Sequence, residues 1–143
     1  MKILIFGLSG SGKTTLANNL FKKLKTLYYT ELFNADAIRT QYNDWDFSVD
    51  GRIRQANRIN SLAINSKAYI VICDFIAPTQ SIRDNFNADF VIWIDTIQKS
   101  NYLDTDKIFE PPDKYDLRIT SHTFSNFVLK TLVKNINYKI EGY

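Results

Sequence analysis

Cysteine is nearly absent from this 143-residue chain. Cys73 stands alone inside an apolar run, which excludes a disulfide framework and fits a buried core thiol. Long apolar runs are missing. The opening one, Ile3-Leu4-Ile5-Phe6, is too short for a signal peptide or a membrane span. Charge is nowhere gathered. The 18 Lys and Arg and 15 Asp and Glu leave a net +3 scattered along the chain. No basic stripe marks a nucleic-acid binder, while a mildly basic surface suits small anionic ligands. Repeats, low-complexity tracts and linkers are lacking too. These absences leave a single domain over residues 1–143, with no membrane and no nucleic acid as partner, expected in the cytoplasm. Apolar content of 45% and charge of 23% supply a real core. Histidine is equally scarce. His122 precedes the closing helix and suits a cap or a turn better than catalysis.

Glycine is sparse as well, yet three glycines fall within Gly7-Leu8-Ser9-Gly10-Ser11-Gly12-Lys13-Thr14, with Thr15 next. A short apolar strand precedes this stretch. A helical pattern follows, with Leu16, Ala17, Leu20, Phe21 and Leu24 on one face. Strand, glycine-rich turn and helix are the setting in which G-x-x-x-x-G-K-[ST] binds phosphate. Glycines let the backbone curl its N–H groups inward, and the helix N-terminus adds partial positive charge. Gly7, Ser9, Gly10, Ser11, Gly12, Lys13, Thr14 and Thr15 are therefore the candidate ATP-binding residues. Lys13 reaches the β- and γ-phosphates, and the Thr14 hydroxyl ligates Mg²⁺. Glycine-rich turns also simply join strands to helices. A dinucleotide site fits less well, because the glycines do not make G-x-G-x-x-G.

Four further strands follow, at 28–33, 69–73, 90–94 and 117–119, with helices at 13–25, 52–66 and 123–136 and a short one after Pro78. Ile53, Ala56, Ile59, Leu62 and Ala63 are expected inward on the second long helix, and Phe124, Phe127, Val128, Leu132 and Ile136 on the last. Residues 40–51 look like a loop carrying Trp45 and Phe47, rings that either stack on a base or anchor the loop. Asp36 and Arg39 follow the second strand and share the phosphate loop's rim, although Asp36 also suits a helix N-cap. Arg52 begins a helix beside that loop, and is the arginine best placed to meet a ligand. Asp74 ends the third strand and resembles a carboxylate that holds Mg²⁺ through water, or else a turn residue. Residues 96–115 lack a long apolar pattern and read as a short lid or a surface loop. The alternation gives an α/β fold of P-loop NTPase type: a three-layer sandwich whose parallel five-stranded sheet has helices on both faces.

These residues resemble the adenylylsulfate kinase family. The phosphate loop matches down to Leu8. Asn34-Ala35-Asp36-Ala37-Ile38-Arg39 is similar to the family's Asp-Gly-Asp-x-x-Arg element. Phe47-Ser48, Arg52 and Arg58-Ile59 resemble its Phe-Ser, Asp-Arg and Arg-Arg-Ile segments. Phe75-Ile76-Ala77-Pro78 resembles its Phe-Ile-Ser-Pro, and Phe109-Glu110-Pro111-Pro112 its Tyr-Glu-x-Pro. The resemblance implies transfer of the γ-phosphate of ATP to the 3′-hydroxyl of adenosine 5′-phosphosulfate, with Mg²⁺, in sulfate assimilation, and a homodimer. It assigns catalysis to Lys13 and Asp36. Asp36, Arg39, Phe47, Arg52, Gln55 and Ile76 go to the acceptor, with Arg39 and Arg52 on its anionic tail and Phe47 on its adenine. The chain departs from the family's pattern at Asn34, where an aspartate is usual, and at Asp74, where an alanine is. Gln55 replaces an asparagine, and Gln80 a common arginine. Thr96 to Tyr115 replace a longer lid, for whose cations Lys99 or Lys107 are the nearest substitutes. Two other readings stay open at this level: a kinase for another small acceptor such as a nucleoside, nucleotide or sugar, and a nucleotide-binding regulatory protein without turnover.

Overall fold

The computed structural model describes residues 1–123 and 125–142. Five strands, β1 (Lys2–Phe6), β2 (Thr30–Asn34), β3 (Ile70–Asp74), β4 (Phe90–Ile94) and β5 (Leu117–Ile119), form one sheet in the order β2-β3-β1-β4-β5. Every neighbouring pair is parallel. Successive side chains on a strand point to opposite faces, and β1 shows what that does. Ile3 and Ile5 enter one core, where α1 (Lys13–Leu24) supplies Leu16, Ala17, Leu20 and Leu24, and α6 (Asn126–Glu141) supplies Leu129, Leu132 and Ile136. Leu4 and Phe6 enter the other, against α2 (Ala35–Tyr42), α3 (Val49–Asn65) and α4 (Gln80–Phe86). The three-layer sandwich expected from the sequence is present.

The chain goes from central β1 out to β2 and back through β3, then crosses to β4 and β5 on the other side. Such a reversal opens a crevice beyond the carboxyl ends of the strands. The β1–α1 loop occupies it.

Several local expectations are corrected. The 40–51 stretch is a loop over 43–48 alone, because α2 runs to Tyr42 and α3 starts at Val49, capped by Ser48. Asp36 is not the cap of α2. Asn34 is, with its Oδ1 accepting from the Ala37 N–H, and Asp36 sits in the first turn. Ile53 is exposed, because Arg52 and Gln55 take the inward face of the first turns of α3. Phe127 is 77% exposed. It precedes Leu129 by two residues, about 200° round the helix from the buried stripe. Phe124, expected inward, lies outside the described residues. The 96–115 segment contains a short helix, α5 (Leu103–Ile108), and it is fastened down. Glu110 donates its N–H to the Pro78 carbonyl at 2.7 Å and accepts from the Gln80 N–H at 2.9 Å.

Candidate active site

The phosphate loop is shaped from below. A Cβ on Gly7 would collide with the Ile94 carbonyl at the end of β4, so only glycine lets the loop leave the sheet there. Gly12 is left-handed (φ 104°) and stands immediately before α1. The Ser11 carbonyl accepts from the Thr96 hydroxyl at 2.7 Å, while the Ser11 hydroxyl is buried without a partner among the described residues. Above lies a cleft of about 370 Å³, lined by Ser9, Gly10, Gly12, Lys13, Thr14 and Thr15 from the loop. Asp36, Arg39, Phe47, Arg52, Asp74 and Ile76 line it from other elements. Twelve of the candidate positions are thus in one cavity. Gly7, Ser11 and Gln55 stand behind it. Gln55 is 3% exposed, donating to the Ala35 carbonyl and accepting from Arg58, so its contact is with the walls and not with the cleft.

The loop side is cationic at its floor. Lys13 is 9% exposed and donates to the Leu8 carbonyl at 2.9 Å, one of its three N–H bonds. Burial lowers its pKa from the usual lysine value, opposed by the nearby Asp74 and Asp36 carboxylates. Asp74 is 2% exposed. Burial raises its pKa, with the Asn34 hydrogen bond and Lys13 acting the other way. The Asn34 amide nitrogen donates to Asp74 Oδ2 at 2.8 Å and lies 3.3 Å from Thr14 Oγ1. The chain's two departures from the family's aspartate and alanine therefore touch each other.

The opposite wall carries two buried arginines. Arg39 is 5% exposed and donates to the carbonyls of Asp44 and Asp46. Arg52 is 8% exposed and donates to the Phe47 carbonyl and the Thr105 hydroxyl, each at 2.9 Å. Their guanidinium centres lie 4.3 and 5.5 Å from the Phe47 ring. Neither is ion-paired among the described residues. Burial is the first cause lowering both pKa values. Asp44 and Asp36 act the other way on Arg39, and Asp104 on Arg52. Buried cations without a direct ion pair are expensive, and this pair lines a cavity.

Two features of this wall were not legible beforehand. Arg54 and Arg58 pair with Asp44 at 2.8 and 3.1 Å, and Arg54 reaches Asp46 as well. They hold the 43–48 loop against α3. Arg83 is 6% exposed and donates to the carbonyls of Ala77 (2.7 Å) and Glu110 (2.6 Å). It pins a cleft-lining residue whose φ of 44° is unfavourable for a side chain with a Cβ. No periodicity signals such contacts, because their partners are carboxylates and backbone carbonyls of loops outside the helices that carry the arginines.

The donor set suits a hard cation carried in by a nucleotide. Thr14 and Asp74 offer oxygens, and the described residues hold no group of three or more His, Cys, Asp or Glu able to bind a metal alone. Mg²⁺ bound mainly by phosphates and waters asks no more of a protein than such oxygens.

A parallel sheet with this strand order, a phosphate loop on its central strand and a second anion-adapted wall across the crevice defines a P-loop NTPase fold of the small kinase type. The chain belongs to the adenylylsulphate kinase family, whose model matches residues 1–97. The match ends two residues into the 96–115 segment. An adenylyl-sulfate kinase of Clostridium acetobutylicum is 37% identical over 98 residues, covering 62% of this chain and 49% of that protein. The bifunctional enzyme NodQ of Azospirillum brasilense is 36% identical over 86 residues, 57% of this chain and 14% of that one. The chain thus spans about half or less of these relatives' length. The Mycobacterium tuberculosis APS kinase CysC, solved in complex with AMPPNP and APS, superposes with a TM-score of 0.79 over 95% of this chain and 96% of its own, at 21% identity.

Proposed function

We propose that the chain transfers the γ-phosphate of ATP to the 3′-hydroxyl of adenosine 5′-phosphosulfate. The observation that carries this reading is the pair of buried, unpaired arginines across the cleft from the phosphate loop. One anion site serves the nucleotide. The other suits a second, separately bound anion, and the Phe47 ring lies close to both of its cations. A phosphosulfate joined to an adenosine satisfies both features of that wall. The family membership and the curated relatives' names support the same acceptor.

In this reading the loop's N–H groups cradle the β- and γ-phosphates, and Lys13 neutralises charge there. Arg39 and Arg52 hold the acceptor's anionic tail, and Phe47 and Ile76 pack against its body. Asp36, exposed on the rim at the start of α2, takes the hydrogen bond of the accepting hydroxyl and directs its oxygen at the γ-phosphorus. Mg²⁺, when bound, offsets charge on the same phosphates. Thr14 would hold it directly and Asp74 through water. The rate comes mostly from positioning and electrostatics. A homodimer and a cytoplasmic location belong to this proposal as well.

A coupled ADP-release assay with Mg-ATP, with and without adenosine 5′-phosphosulfate, tests it. Acceptor-dependent release yielding a 3′-phosphorylated product, and lost in K13A, is expected. Nucleotide binding with no acceptor dependence would refute the acceptor assignment.

A further inference from the structure

Asn34 uses its whole side chain. Its Oδ1 caps α2. Its amide nitrogen serves Asp74 Oδ2 and approaches the Thr14 hydroxyl. Capping alone does not call for an amide, since serine and aspartate cap as well as asparagine does. The donor pair is what those residues lack. Strand pairing fixes the arrangement, because Asn34 and Asp74 are direct partners in the β2–β3 ladder. Asp74 is almost wholly buried, and among the described residues it has no ion pair. Lys13 spends a bond on the Leu8 carbonyl instead. A buried carboxylate in this position needs a neutral donor to hold its orientation.

We propose that Asn34 is a positioning residue for the nucleotide's divalent cation: one amide aligns the Thr14 hydroxyl and the Asp74 carboxylate as a preset pair of oxygens. This rests on the nucleotide-site reading above. Residues that orient metal-binding groups typically change metal affinity by roughly ten- to a hundredfold when lost.

The test is equilibrium binding of a fluorescent ADP analogue, titrated with Mg²⁺ and repeated in EDTA. N34S keeps a capping oxygen and adds no charge, but its hydroxyl is too short to bridge. It should raise the half-saturating Mg²⁺ concentration by about tenfold or more, with EDTA affinity within twofold of wild type. In a D74A background the same change should have a clearly smaller effect, because only the amide's contact with the Thr14 hydroxyl is then left to lose. Equal weakening with and without Mg²⁺, or an undiminished N34S effect on top of D74A, would overturn the proposal while the nucleotide site stands. Failure of the wild type to bind the analogue would overturn the nucleotide-site reading itself, and this inference with it.

Discussion

Arg52 is the side chain on which the acceptor assignment can be tested most sharply. Removing it as R52A deletes a cation that is 8% exposed and bonded only to a carbonyl and a hydroxyl. A hydrogen bond to a charged group contributes about 1.5–3 kcal/mol. The KM for adenosine 5′-phosphosulfate should therefore rise roughly 10- to 150-fold, with the KM for ATP within threefold. Stability should respond far less. Two neutral-partner bonds are lost, but the cost of an unpaired buried charge is relieved at the same time, so unfolding free energy should fall by less than about 2 kcal/mol. R52K keeps the charge and loses the planar fork, and should recover only part of the affinity. Steady-state kinetics against both substrates and urea unfolding separate the two effects. An acceptor KM within threefold of wild type, or a large stability loss without a KM change, would show that Arg52 braces α5 and binds nothing.

Three other outcomes follow from the same geometry. K13A should lower kcat by at least about a hundredfold, read in the ADP-release assay, while circular dichroism stays unchanged. R83A should destabilise the fold by about 3 kcal/mol, since it releases the Ala77 and Glu110 carbonyls and leaves a void against Phe6; chemical denaturation measures it. Asp44 is held well below the usual carboxylate value of 3.8, first by its hydrogen bond from Arg54. A depressed native pKa means that the unfolded chain binds more protons in acid. That stability is present at neutral pH and drains away as pH falls below about 4. D44N should therefore melt lower than wild type at pH 7, with the gap closing at pH 3 in thermal scans.

The sheet, its two helical layers and the phosphate loop were legible because their signals are local: apolar runs of five residues, a 3.6-residue stripe and a motif joining them. Asp36 and Arg39 were placed on the phosphate loop's rim by their position after a strand, and both line the cleft. What was hidden depends on partners far away in sequence. Asn34 reads as a lost carboxylate until the β2–β3 register puts its amide on Asp74, 40 residues on. Thr105 gives no hint that it receives Arg52. Ile53 fits an inward stripe as an apolar residue, yet polar Arg52 and Gln55 displace it because that end of α3 borders a cleft and not the core.

The two cores on either face of the sheet also set how such a molecule can change over evolutionary time. The nucleotide half rests on α1 and one core, the acceptor half on α2, α3 and α4 and the other, and the sheet they share stands between them. Helix packing on one face can drift while the sheet keeps the other in place. A lineage is thus free to redesign what receives the phosphate while inheriting intact the machinery that delivers it, and a protein engineer can graft along the same seam.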